Sequence, residues 1–220
     1  ISVEDPTIKI SLGPNTSPFA GREGKFVTSR QIKERLLKEK ETNLGLRIEE
    51  NPGGVNFIVC GRGELHLAVL IETMRRESFE LEVSKPQVIY KEIDGETCEP
   101  YEEATIEVDK NYLGVVTEEP GKRRGSLLEM KVERGELMRL VYKISSANLL
   151  GIRGVLLTAT RGTAQISSYL LGYEKKGAKL ESFRNGALTA SKAGTTLGYG
   201  LANAQERGTM FIGPGTAVYE

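Results

Sequence analysis

The sequence has no tryptophan, one histidine and only two cysteines in 220 residues, and each shortage removes a class of chemistry. His66 has no partner for the clustered His/Cys spacing that a zinc site requires. Glu64 lies two positions before it, which on a helix sends the two side chains in different directions. A Ser-His-Asp arrangement would need His66 beside a nucleophile on a recognisable elbow, and the sequence offers none. Cys60 and Cys98 are far apart and in no C-x-x-C pair, so they read as two reduced thiols in a cytosolic protein. An excess of one charge is missing too: Lys and Arg number 30, as do Asp and Glu. That balance argues against coating nucleic acid through bulk charge, while local basic patches remain open. No apolar run approaches the roughly 18 residues that cross a bilayer, so no membrane partner is expected. There is no initiator Met and no signal-like start, and both ends read as cut from a longer polypeptide.

Glycine is plentiful, but the phosphate-cradling orders are absent. Gly61-Arg62-Gly63 follows a strand and opens a helix, yet His66 stands where a dinucleotide fingerprint needs its third glycine. Gly121-Lys122-Arg123-Arg124-Gly125-Ser126 is basic but lacks the G-x-x-x-x-G-K-[ST] order. The chain is therefore expected to hold no cofactor and to have no enzymatic activity by itself.

Two periods alternate along the chain. Ile8, Ile10 and Leu12 give a strand, and Gly13 to Gly24 a loop. Thr28 with Gln31 fits a capping box, and Val27 with Ile32 a hydrophobic staple, opening a helix that buries Ile32 and Leu36. Leu44, Leu46 and Ile48, then Val55, Phe57 and Val59, make two strands around the turn Asn51-Pro52-Gly53-Gly54. Leu67, Leu70, Ile71 and Met74 have the i, i+3, i+4, i+7 spacing of a second helix, and Phe79, Leu81 and Val83 form a fourth strand. Val88 to Glu92 reads as a connecting strand and Asp94 to Pro100 as a short linker.

The order βαββαβ then repeats. Ala104, Ile106 and Val108 alternate; a short helix capped by Asn111 buries Tyr112, Val115 and Val116; Leu128, Met130 and Val132 alternate, as do Met138 to Ile144. A longer helix runs through Leu149, Ile152, Leu156 and Ala159, and a strand opens at Ala164. From Tyr173 the texture changes. Glu174 to Lys179 reads as a linker, Ala187 to Thr189 and Met210 to Ile212 as strands, and Leu197 with Leu201 as one side of a short helix. The expected fold is α+β: two ferredoxin-like βαββαβ domains in tandem, residues 1–93 and 94–172, plus a partial, mixed β-rich C-terminal domain, residues 173–220.

Loop cations form three groups: Arg22, Lys25 and Arg30; Lys122, Arg123 and Arg124; and Lys175, Lys176, Lys179 and Arg184. Such clusters suit phosphate contacts and solvated loops equally. The aromatic segment of an RNA-recognition module is absent, which disfavours base stacking on the sheet.

Asn15-Thr16-Ser17-Pro18-Phe19-Ala20-Gly21, Gly24-Lys25-Phe26-Val27-Thr28-Ser29-Arg30 and Gly61-Arg62-Gly63-Glu64-Leu65-His66-Leu67 resemble domain III of translational GTPases. Ile71 through Leu81 and Val83-Ser84-Lys85-Pro86 resemble the BipA/TypA branch in particular. Lys122-Arg123-Arg124-Gly125, Leu149-Leu150-Gly151-Ile152-Arg153 and Leu157-Thr158-Ala159-Thr160 resemble domain V, with a departure at Ser145 to Asn148, where a Pro-x-Arg-Gly-like turn is usual. Arg184-Asn185-Gly186 and Gln205 to Gly215 resemble the start of the BipA-type C-terminal domain.

The resemblance implies the ribosome-binding C-terminal portion of a cytoplasmic, monomeric GTPase tied to ribosome assembly and to stress or low-temperature adaptation. It places GTP and Mg in the parent protein, outside these domains. It implies partners in rRNA and ribosomal proteins near the factor-binding region, and A-site tRNA for the complete C-terminal domain. It also implies interdomain coupling, for which Arg62, Glu64, His66 and the first loop and helix are candidates. Rival readings are another elongation-factor-G-like GTPase, an acylphosphatase-like hydrolase using Arg22 and Asn15, and a protein-interaction module without RNA binding.

Overall fold

In the computed structural model, residues 5–51, 54–177 and 187–220 are described. Contacts group residues 1–180 into one compact unit and residues 181–220 into another.

The larger unit begins with a module of β1 (Ile8–Pro14), α1 (Ser29–Thr42), β2 (Arg47–Glu50), β3 (Phe57–Gly61), α2 (Glu64–Arg76), β4 (Leu81–Val83) and β5 (Gln87–Val88). The sheet order is β2-β3-β1-β4, with β5 also on β1, and all these pairings are antiparallel. Alternation sends Ile8, Ile10 and Leu12 to one face, where Ile10 lies opposite Val59 and Leu12 opposite Phe57. Ile32 and Leu36 of α1 and Leu67, Leu70 and Met74 of α2 complete this core. Burying each such side chain contributes roughly 1.5–3 kcal/mol. The capping box forms as expected: the Thr28 hydroxyl accepts from the Gln31 N–H, and the Gln31 side chain accepts from the Thr28 N–H at 3.1 Å. β2 opens at Arg47 rather than Leu44, because a turn from Asn43 to Leu46 leaves Leu44 76% exposed.

A second module follows after only Ile89 and Tyr90: β6 (Lys91–Ile93), β7 (Glu96–Asp109), α3 (Leu113–Lys122), β8 (Ser126–Arg134), β9 (Leu137–Ser145), α4 (Ser146–Leu149), α5 (Ile152–Ala159) and β10 (Gln165–Lys175). The antiparallel order is β10-β7-β9-β8, with β6 on β7. Its separate core joins Ile106, Val108, Leu140 and Tyr142 of the sheet to Val116, Ile152 and Leu156 of the helices. The two α+β modules are thus ferredoxin-like units in tandem.

Several expectations change here. Asp94 to Pro100 is no linker: Asp94 and Gly95 take φ 53° and 78°, the paired positive values of a tight hairpin turn, and β7 starts at Glu96. Asp109, not Asn111, caps the next helical turn, its carboxylate accepting from the Asn111 N–H at 2.8 Å. The expected helix from Leu149 to Ala159 is broken at Leu150-Gly151, where Gly151 takes φ 73°. β10 runs through Glu174 and Lys175, crossing the expected boundary at residue 173, because these residues pair with Glu99 and Cys98.

The smaller unit contains β11 (Gly194–Thr195), α6 (Gly198–Gln205) and β12 (Ala217–Val218). The strands expected at Ala187–Thr189 and Met210–Ile212 do not form; pairing goes instead to Gly194 with Val218 and Thr195 with Ala217. Thr196 ties the hairpin ends, its hydroxyl donating to Gly213 O at 2.8 Å. Among the described residues of this unit none is buried, and Tyr199 and Phe211 are 82% and 87% exposed.

Candidate functional site

Of the first group of cations, Arg22 and Lys25 lie on a loop pinned to the sheet edge, and Arg30 stands in the first turn of α1. Thr16 donates through its backbone N–H and its hydroxyl to Glu82, and the Gly21 N–H donates to Glu80. The strand-like passage at Phe26 pairs with Phe79 and Glu80, and the Phe26 and Phe79 rings sit 4.8 Å apart. Gly24 permits this close approach, since a Cβ there would lie 2.7 Å from Glu80 Cβ. On this platform Arg22 lies over the Phe19 ring at 4.2 Å. Arg30 pairs with Glu34 at 3.0 Å but stays 89% exposed in its side chain. Lys25 is exposed and has no ion-pair partner among the described residues.

The second group splits. Lys122 bonds Glu118 at 2.7 Å and Glu119 at 3.3 Å, which raises its pKa. Arg123 turns inward and donates to the carbonyls of Asn148 at 3.2 Å and Leu150 at 2.8 Å. Arg124 adopts φ 59° in the turn before β8. The third group is also engaged. Lys175 pairs with Glu96 at 2.5 Å, and Lys176 lies 4.2 Å from the Tyr90 ring centre. Lys179 and Arg184 lie outside the described residues.

The segment Gly61 to His66 is a tightly tied corner. The Thr7 hydroxyl donates to Arg62 O at 2.9 Å. The Arg62 N–H meets His66 Nδ1 at 3.4 Å, and His66 Nε2 meets Asn43 Oδ1 at 3.1 Å. The first bond makes Nδ1 the acceptor, so Nε2 carries the proton of a neutral imidazole. Burial, with the Arg62 charge, pushes the His66 pKa below its usual value. Gly61 has no room for a side chain: a Cβ would lie 2.8 Å from Leu67 Cδ2 and 3.3 Å from His66 Nδ1. Glu64 reaches out of the module and accepts the N–H of Gly151, 3.0 Å away. Arg62, Glu64 and His66 are thus brought together at the start of α2, and only Glu64 reaches the other module. Gly151 and Leu150 carry no local sign of that contact beyond a glycine at a helix start.

The basic segment at Lys122 does not form a phosphate cradle. Lys122 stands in the last turn of α3, with a strand following, whereas a phosphate cradle needs the positive end of a helix. α2 offers such an end, but Glu64 occupies its first turn. Among the described residues no three His, Cys, Asp or Glu side chains gather as metal ligands. Both cysteines are free and buried, and burial raises the pKa of Cys60. No helix among the described residues is long and apolar enough to cross a membrane.

Residues 96–182 match the family model of the elongation factor G C-terminus, which sets the second module among elongation-factor-G-like proteins. Residues 185–220 match the model of the TypA/BipA C-terminal domain. The whole chain is 48% identical to the large ribosomal subunit assembly factor BipA of Haemophilus influenzae and 44% to that of Synechocystis sp., covering 36% and 37% of those proteins. It is 46% identical to a putative chloroplastic TypA-like elongation factor of Arabidopsis thaliana, covering 33% of it. Over its whole length the chain is similar to TypA/BipA proteins, and it spans little more than a third of the length of these relatives. A crystal structure of a protein from Thermus thermophilus shares the fold at a TM-score of 0.52 and 15% identity, over 80% of this chain and 42% of that one.

Proposed function

We propose that this chain is the ribosome-facing portion of a TypA/BipA-type GTPase that acts in assembly of the large ribosomal subunit and in stress adaptation. The observation that carries this reading is the succession of an elongation-factor-G C-terminal module and a TypA/BipA C-terminal domain in one chain. Its relatives are named as large ribosomal subunit assembly factors. The chain binds and positions without performing chemistry; GTP and magnesium belong to the parent protein's nucleotide domain. Partners are rRNA and ribosomal proteins of the factor-binding region, with A-site tRNA approached by the complete C-terminal domain. The protein is a monomer that works where ribosomes are, in the cytoplasm.

The geometry reorders the candidate contacts. Arg22 and Lys25 on the loop, with Arg30 in the first turn of the adjoining α1, form the strongest RNA-facing group, because the loop is fixed by its bonds to Glu80 and Glu82 and all three side chains are exposed. Lys122, Arg124, Lys175, Lys176 and Arg184 are secondary contacts, and Arg123 serves the fold. Co-sedimentation of the parent protein with large ribosomal subunits over a salt series tests this. Each lost phosphate contact lowers the salt slope by roughly 1 unit. Charge reversal at Arg22 and Lys25 therefore flattens the slope by about two units, while reversal at Lys122 and Arg124 has the smaller effect. An unchanged slope after all four reversals would overturn the assignment.

A further inference from the structure

The Gly61 to His66 motif contains no catalytic group, yet it is among the most heavily tied parts of the first module. Its outward-facing member is Glu64, and what it holds is a backbone N–H of the second module, Gly151, at 3.0 Å. The residue before, Leu150, packs its side chain against the first module's core although it belongs to the second. Gly151 takes φ 73°, a conformation open to glycine at little cost, and this bend between α4 and α5 projects the pair as a corner. Arg123 holds the corner from behind through the carbonyls of Asn148 and Leu150.

A second set of contacts lies at the linker. Only Ile89 and Tyr90 separate β5 of the first sheet from β6 of the second. Lys91 bonds Asp5 of the first module at 2.7 Å and lies 4.3 Å from the Tyr173 ring centre of the second. Tyr90 itself lies against Lys176.

We propose that the Gly61 to His66 segment is a socket whose ligand is the Leu150-Gly151 corner of the same chain. The socket and the short strapped linker together make the two modules one body with a fixed mutual orientation. Tying the socket through Thr7, Asn43 and His66 keeps Glu64 aimed, and an apolar plug beside a charged hydrogen bond gives the contact both area and direction. Two domains joined without such a plug move independently by default.

Residual dipolar couplings of backbone amides in the 220-residue chain test this. One alignment tensor should fit the amides of residues 7–88 and 97–175 together. Glu64→Ala with Leu150→Ala should require two tensors while the amide spectrum of each sheet stays dispersed. Glu64→Gln, which keeps an acceptor, should retain one. Glu64 is exposed, so Glu64→Ala alone leaves both cores intact and should already separate the two tensors partially. Two unequal tensors in the wild-type chain, or a single unchanged tensor in the double variant, would overturn the proposal.

Discussion

At the scale of single residues the structure distinguishes charges that hold the fold from charges that stay at the surface. Arg35 is the clearest of the first kind. Its side chain is 15% exposed and bonds Glu77 at 2.5 and 3.0 Å and Glu39 at 2.9 Å, joining α1 to the end of α2. These bonds hold the Glu77 pKa below its usual value. Arg35→Ala should destabilise the first module by roughly 1.5–3 kcal/mol, the range for hydrogen bonds to charged groups. Urea denaturation at neutral pH checks this, and a loss below about 0.5 kcal/mol, the level of a surface pair, would contradict it. His66 makes a pH-dependent contribution whose sign is fixed. Its folded pKa lies below the ordinary 6.5, so the unfolded chain takes the proton first. The stability it supports is complete above about pH 6.5 and is lost as pH falls through the depressed folded value. Urea midpoints between pH 5 and 7.5 should therefore fall more steeply with acidification for the wild type than for His66→Gln. Parallel curves would show that His66 does not titrate as its surroundings dictate.

At the scale of elements, the parts legible in the sequence are those whose causes are local. α1 announces itself through Thr28 and Gln31, and the strands of both sheets through alternation at Ile8 to Leu12 and Ala104 to Val108. What the sequence hides is set by distant partners. Only Gly151 hints at a break beside Leu150, since Leu149, Ile152 and Leu156 keep helical spacing across it; Glu64, 87 residues before Gly151, holds the bend. Glu174 and Lys175 read as a polar linker because their place in β10 comes from pairing with Glu99 and Cys98. Met210 to Ile212 has the composition of a strand but finds no pairing partner among the described residues. Of the candidate site, the loop of Arg22 and Lys25 was legible as a basic loop, whereas the inward turn of Arg123 was not. Gly151→Ala forces a side chain into the left-handed region and should cost roughly 1–2 kcal/mol, read as a lowered denaturation midpoint of the second module. No loss there would show that the bend is not required. β8 supplies a different test. It is an edge strand with Leu128, Met130 and Val132 at least half exposed, interrupted by register shifts near both ends and carrying Lys131 at its middle. Irregular pairing and a mid-strand lysine both discourage edge-to-edge association. Lys131→Val should raise light scattering at high concentration; a variant as monodisperse as the wild type would refute that role.

At the scale of the whole molecule, two compact α+β modules share a unit of residues 1–180, followed by a small unit with no buried residue among those described. A charge total of zero conceals this division of labour, because many cations are spent on carboxylates, ring faces and carbonyl groups within the chain. Arg22 and Lys25 on the first loop and Arg30 at the start of α1 stay exposed, Arg22 over the Phe19 ring and Arg30 beside Glu34. Ribosome binding by these domains is decided by equilibrium binding of the 220-residue chain to purified large ribosomal subunits, compared at two salt concentrations with Arg22→Glu/Lys25→Glu. Binding should be weak, salt-sensitive and markedly reduced in the variant. Binding equal in the two proteins, or none by either the chain or its full-length parent, would refute a ribosome-facing role for this surface.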